Sequence, residues 1–332
     1  MIVRQNTAPL EIRDAVEAEA RGAGQRWNLS DAGPLRQFGA SLETLMPGAA
    51  SSDRHWHEVE DEFLLMIDGT ATAIDESGAH EIGPGDAVCW PAGVPNGHQI
   101  ANRSPAPCSY IIVGTRGPDE VVHYPDLQRT MIDSRETWKV IASDGSILRQ
   151  GQLPDHLRGL LERPRPKLQP GWSGTGIIRA GTARIDTGTP EQNAAMGAYQ
   201  AQLYSDTGGL TQFGAFVETL QPGARSSDRH WHEQEDEFLF MLTGEVTVIE
   251  DDGPHTLYPG DAACWPAGVA NAHHAVNHST APCSYLIVGS RLPSDRVHYS
   301  DIDKLYTRID GVSKRTKRDG TPLDLPAQDP KS

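Results

Sequence analysis

The sequence lacks the features that mark several large protein classes. No run of about 18 apolar residues occurs, so no membrane-spanning helix is expected. Residues 1–10 carry no apolar signal core, and a cytoplasmic chain is therefore expected. Basic residues are few: 29 Lys and Arg stand against 45 Asp and Glu, for a net charge of −16. With no basic stripe and no helix-turn-helix segment, nucleic acid is excluded as the main partner. The one basic cluster, Lys314, Arg315, Lys317 and Arg318, is expected in a solvated tail or turn. Cysteines number only four, Cys89, Cys108, Cys264 and Cys283. Their spacing is no zinc pattern and each lies in an apolar run, so reduced thiols packed in a core are expected.

What the chain has in quantity is turn formers, with 33 glycines and 24 prolines in 332 residues. They separate short apolar and β-branched runs at 63–67, 70–74, 86–90, 98–101 and 109–113, which read as strands. Many short strands at close spacing predict an all-β sandwich or barrel. One minor helix is expected over 9–20, with a weaker counterpart over 183–197.

The chain also repeats itself. The stretch 47–69 carries His55, His57 and Glu62, and it recurs at 222–244 with His230, His232 and Glu237, 175 positions on. The same shift relates Leu35–Ala40 to Leu210–Ala215, Pro91–Val94 to Pro266–Val269, Val122–Tyr124 to Val297–Tyr299, and even Ile2 to Ile177. Such register without insertion indicates tandem duplication of one unit. The expected division is a first domain over 1–157, a connector over 158–175 containing P-R-P-K-L-Q-P-G-W, and a second domain over 176–332.

Side chains alternate faces along a strand, so His55 and His57 point one way and Trp56 the other. Glu62 opens the next strand and can return its carboxylate to the same interior. A second block, 85–102, reads as a strand, a turn at Pro91-Ala92-Gly93 and a returning strand that begins with His98; its counterpart, 260–277, carries His273. Three imidazoles and one carboxylate suit a divalent first-row metal with positions left open for water, oxygen or substrate. Buried without a cation, the same groups would be costly.

The blocks Gly48-x6-His55-x-His57-x4-Glu62-x6-Gly69 and Gly85-x5-Pro91-x-Gly93-x4-His98-x3-Asn102 resemble the two conserved motifs of the cupin superfamily, and the two copies together resemble a bicupin. The loops of six residues before His55 and four before His98 are longer than in the family pattern, but every ligand position is filled. The resemblance implies two tandem jelly-roll β-barrels. It implies His55, His57, Glu62 and His98 as metal ligands, with His230, His232, Glu237 and His273 as the second set. The implied cofactor is a divalent transition metal (Fe, Mn, Zn, Ni or Cu), up to two per chain.

Around the ligands, Arg54 and Arg229 are expected to face outward and pair with Glu58, Glu60 or Asp61 and their counterparts. Leu64 and Met66 are expected to line the barrel, Asn102 and Asn277 to make structural hydrogen bonds, and Trp90, Trp265, His123 and His298 to be structural. The copies differ at Met46/Gln221, Ala50/Arg225, Val59/Gln234 and Gln99/His274. The second pocket is therefore expected to be more polar and the two sites to be functionally unequal. His274 is expected to face away from its neighbour His273.

The expected function is a metal-dependent dioxygenase acting on a small enol, diketone or hydroxylated acid chelated to the metal, with Glu62 and Glu237 doubling as proton acceptors. The alternatives are non-redox isomerase, lyase or decarboxylase chemistry, and metal-mediated small-molecule binding without turnover. His-Trp-His is a wording shared with oxalate-decarboxylating bicupins, though the rest of the chain follows them less closely. A small molecule is the expected partner, with association into a homo-oligomer open.

Overall fold

The structure, a computed structural model, describes residues 1–154, 157, 158, 160 and 176–323. Apart from residues 158 and 160, the Pro-rich connector lies outside the described residues. The architecture is all-β, two tandem barrels, one for each copy of the repeat. Among the described residues no helix is long and apolar enough to cross a membrane.

Each barrel is built on a seven-stranded antiparallel sheet. In the first copy its centre is Cys108–Thr115, flanked on one side by Glu62–Asp68 and Ala87–Trp90 and on the other by Phe38–Leu45 and Gly24–Asn28. A three-stranded sheet of Gln99–Ala101, Ala71–Asp75 and Gly78–Ile82 closes the barrel. All five runs read as strands from the sequence are strands. The chain passes from one sheet to the other between Glu62–Asp68 and Ala71–Asp75 by a turn at Gly69, whose φ is +72°. A Cβ there would stand 2.5 Å from the Pro107 carbonyl, so the turn requires glycine on both counts.

The two copies exchange their first strands. Ile2–Val3 pairs with the strand Ala262–Trp265 of the second barrel, and Ile177–Ile178 pairs with Ala87–Trp90 of the first. The barrels then pack back to back over a shared apolar core in which Phe38 and Phe213, both fully buried, lie 6.3 Å apart. Two carboxylates stitch the same interface: Asp61 accepts from the Thr211 and Gln212 amides at 2.7 and 2.9 Å, and Asp236 from Arg36 and Gln37 at 2.7 and 2.8 Å. Cys89 and Cys264 lie against the Tyr204 and Leu29 carbonyls there, and all four cysteines are free and buried. Each barrel interior has its own apolar cluster, the first including Leu64 and Met66 as its lining.

Three expectations need correction. Residues 9–20 are not one helix. Leu10–Ile12 is a strand paired with Gly24–Asn28, and the helix is Ala15–Arg21, started by Asp14, whose carboxylate accepts from the Val16 and Glu17 amides at 2.9 Å. Its counterpart is no weaker: Pro190–Met196 opens with a full capping box between Thr189 and Gln192. The basic cluster is only partly a solvated turn: Lys317 and Arg318 are exposed at a turn as expected, but Lys314 and Arg315 belong to the strand Val312–Thr316, and Arg318 donates to the Tyr299 and Ser300 carbonyls at 2.8 and 2.9 Å.

Candidate metal centres

His55 faces His98 across an antiparallel bridge, their backbones exchanging hydrogen bonds of 3.0 and 2.8 Å. His57 lies in the short strand Trp56–His57, and Glu62 begins Glu62–Asp68. The period of two does the rest. Trp56 turns outward onto His123, stacked at 4.1 Å, while both histidines face inward. Around Glu62 Oε2 stand His98 Nε2 at 2.7 Å, His57 Nε2 at 3.4 Å and His55 Nε2 at 3.9 Å. Around Glu237 Oε2 stand His273, His232 and His230 at 2.8, 3.5 and 3.8 Å. The eight residues singled out from the sequence thus form two four-residue clusters.

The hydrogen bonds fix the tautomers. His55 Nδ1 lies 2.9 Å from the Asp53 carbonyl and His98 Nδ1 3.0 Å from that of Asn96. His230 and His273 repeat this with Asp228 and Asn271 at 2.9 and 3.1 Å. A carbonyl only accepts, so Nδ1 carries the hydrogen and Nε2 presents a lone pair to a carboxylate oxygen. Such a facing set of acceptors needs a cation or an extra proton between them. Burial would push Glu62 up, but His57, His98 and His55 override it and hold its carboxyl well below the usual range. Burial would depress His57, but Glu62, Glu120 and Glu60 raise it to about 10. His55 falls to about 3 through burial, with the neighbouring imidazoles adding to the fall and Glu62 opposing it. Both His57 nitrogens are buried without a hydrogen-bond partner. The donor set therefore fits a divalent ion held by His55, His57, Glu62 and His98, and by His230, His232, Glu237 and His273.

Behind the ligands the copies diverge. His232 Nδ1 meets Asp295 Oδ2 at 2.7 Å, whereas the equivalent Glu120 is 3.7 Å from His57 Nδ1. Arg308 pairs with buried Glu235 in the second barrel. At the matching position the first barrel has Asp133, so Glu60, Glu120 and Asp133 gather without a counter-cation at that place. Burial and Glu120 raise Glu60 to about 8, while in the second barrel burial raises Glu235 only to about 7, with His232 and Arg308 opposing.

The cavities diverge as well. The second barrel opens into a cavity of about 580 Å³ that reaches His230, Glu237 and His273. His274, expected to face away, also borders it, with Nδ1 3.0 Å from the Ser227 carbonyl. The cavity of about 210 Å³ at the first barrel is lined by Arg13, Arg21, Arg26 and Glu43 and includes none of the ligands. Arg26 reaches into that barrel to buried Glu43, which also accepts from Tyr110. The second copy has Ala201 in place of Arg26, leaving Glu218 and Tyr285 on the cavity wall.

Other neighbours are structural. Asn102 donates to the Leu45 and Ala106 carbonyls at 2.8 Å, and Trp90 and Trp265 stack on His98 and His273 at 4.2 and 3.9 Å. His123 and His298 pair with Glu58 and Glu233 at 2.8 and 2.7 Å. Arg54 does not pair with Glu58, Glu60 or Asp61. It reaches Asp126 and Glu76 at 3.0 and 3.2 Å because Asp61 is buried at the interface and Glu60 accepts from the Gly117 amide.

The cupin-domain family matches residues 41–114 and 216–289. A sugar phosphate isomerase of the cupin superfamily from Silicibacter pomeroyi is 37% identical over 43% of this chain and 94% of its own, at a TM-score of 0.41. Oxalate decarboxylase from Bacillus subtilis aligns over 90% of this chain and 78% of its own at 18% identity and a TM-score of 0.52. Its Mn(II) centres are the subject of a further structure. A protein described as glyoxylate-induced from Pseudomonas aeruginosa aligns over 80% of this chain and 79% of its own at 11% identity and a TM-score of 0.51. No curated protein matches the chain. Two barrels, each with three histidines gathered around one glutamate, define the class: the chain belongs to the cupin superfamily and is a bicupin.

Proposed function

We propose that the chain is a metal-dependent enzyme whose working site is the second barrel, most specifically a dioxygenase of a small enol, diketone or hydroxylated acid. The supporting observation is the meeting of the ligand cluster with a cavity of about 580 Å³ at Glu237, whereas the cavity of about 210 Å³ at the first barrel does not reach Glu62. A bound divalent ion would supply Lewis-acid polarisation of two substrate oxygens and, for iron, manganese or copper, redox chemistry with oxygen.

The protein's own groups do the remainder. Leu239 and Ile287 give the cavity an apolar wall that displaces water from the substrate. Glu237 is held ionised against its burial by His232, His273 and His230, and it stands at the cavity as a carboxylate; its role as proton acceptor requires that it move away from those imidazoles during turnover.

That placement also favours a second reading, in which proton transfer to Glu237 serves isomerisation, lyase cleavage or decarboxylation without oxygen. Oxygen consumption separates the two. With a panel of diketones, catechols and hydroxy acids, a dioxygenase consumes oxygen in step with substrate and stops under anaerobic conditions. Turnover that continues without oxygen would select the second reading.

A further inference from the structure

The arginines around the two barrels have changed places. In the first copy Arg13 donates to the Ser51 carbonyl at 3.0 Å, Arg21 and Arg129 share Asp53 at 2.7 and 2.8 Å, and Arg26 pairs with Glu43. Each cation there is engaged within the wall. At the positions of Arg13, Arg21 and Arg26 the second copy carries Gly188, Met196 and Ala201. It gains Arg225 and Arg315 where the first has Ala50 and Val140, and it keeps a cation at Lys304. Arg225, Lys304 and Arg315 all border the cavity of about 580 Å³.

Two of these cations share one carboxylate. Asp228 is shared by Arg225 at 3.1 Å and Lys304 at 3.6 Å. Arg225 Nε is buried with no hydrogen-bond partner. Lys304 Nζ lies 3.7 Å from the centre of the Tyr299 ring, and its amine is depressed by burial, with Asp228 opposing and Arg315 adding to the fall. Of the other carboxylates bordering the cavity, Glu218 accepts from Tyr285 at 3.1 Å, Glu191 is exposed at a helix start, and Glu237 belongs to the ligand cluster. Arg225 and Lys304, with one carboxylate between them, therefore leave positive charge on the wall of the cavity that also holds the ligand cluster. Guanidinium and ammonium groups in a partly desolvated wall favour carboxylate and phosphate oxygens.

We propose that the second-barrel cavity selects a small acid bearing a second acidic group, carboxylate or phosphate monoester, remote from its chelating end and held by Arg225, Lys304 and Arg315. The proposal rests on the second barrel being the metal-bearing working site. It also gives a reason for the loss of Arg26 in the second copy, since an arginine at position 201 would reach Glu218 across the space the ligand needs.

Calorimetric titration of the metal-loaded full chain tests this with three probes that share an α-hydroxy acid end: lactate, malate and phosphoglycerate. Malate or phosphoglycerate is expected to bind at least about tenfold tighter than lactate, as for an added charge-assisted contact. Whichever of the two gains more identifies the remote group. Arg225→Ala should abolish the gain and leave lactate unchanged, Arg225→Lys should restore part of it, and Arg26→Ala should change none of the three. Equal affinity for all three acids, or a gain that survives Arg225→Ala, overturns the proposal. Metal content is read in the same samples. Missing selectivity with the metal in place overturns this proposal alone, and absence of metal overturns the reading on which it rests.

Discussion

His232 Nδ1 and Asp295 Oδ2 meet at 2.7 Å, and both groups are buried. Asp295 uses its other oxygen to accept from the Gln234 amide at 2.9 Å, so the carboxylate is fixed at both ends and holds the imidazole with Nε2 toward Glu237. The matching pair in the first barrel does not close. Glu120 is one methylene longer and turns its oxygens to the amides of Glu58, Val59 and Val121 at 3.0, 3.3 and 2.8 Å. A ligand histidine whose remote nitrogen donates to a carboxylate is more basic and better oriented.

Asp295→Ala is therefore expected to weaken metal retention in the second barrel by roughly 10–100-fold, with the first barrel unaffected. Chelator competition followed by metal analysis reads this directly. Unchanged retention would show that Asp295 does not support His232.

Single ligand losses should separate the two barrels. His232→Ala is expected to abolish turnover, and His57→Ala to retain most of it while lowering thermal stability. Equal loss of activity in the two variants would contradict a single working barrel.

Exchanging Arg26 and Ala201 tests why the cavity of about 580 Å³ lies in the second barrel. Ala201→Arg should block ligand binding in the second barrel while the metal stays bound. Arg26→Ala should destabilise the chain by about 1–3 kcal/mol, because buried Glu43 is left with Tyr110 alone. A stability equal to wild type would mean that Glu43 finds other partners.

The acidic group behind His57 gives a pH-dependent prediction. Asp133 is pushed up from 3.8 to about 6 by burial and by Glu120, with His57 opposing. A carboxyl raised in the fold contributes stability while it is protonated, and that contribution is lost as pH rises from about 3.8 through about 6. Asp133→Asn should raise the melting temperature at about pH 8 and leave it nearly unchanged at about pH 4. The opposite dependence would mean that Asp133 is stabilised as an anion.

The ligand clusters were legible in the sequence because their geometry is local. The alternation of His55, Trp56 and His57, the nearby start of a strand at Glu62 and the turn that returns the chain to His98 need only the period of two and a tight turn. What lies behind them was not legible. Asp295 is 63 positions from His232, and Arg308 is 73 from Glu235, so only the closed fold brings them together. A signal did exist: at the fixed shift of 175, Asp133 aligns with Arg308, Arg26 with Ala201 and Val140 with Arg315, each a change of charge. The strand exchange left no such trace. Ile2 and Ile177 are in register, so either strand could complete either barrel, and the duplicated sequence does not say which. Arg315 was misplaced for a related reason. A basic run reads as solvated until the strand Val312–Thr316 turns Arg315 onto the cavity.

Elemental analysis of the purified chain, with the metal-to-chain ratio, tests the metal-binding role of the two clusters most directly. The expected result is about two equivalents of divalent transition metal per chain, reduced to about one by His232→Ala, since each barrel carries a complete ligand set. Fewer than ~0.3 equivalents of any metal, in a chain that nonetheless folds and melts cooperatively, would contradict it.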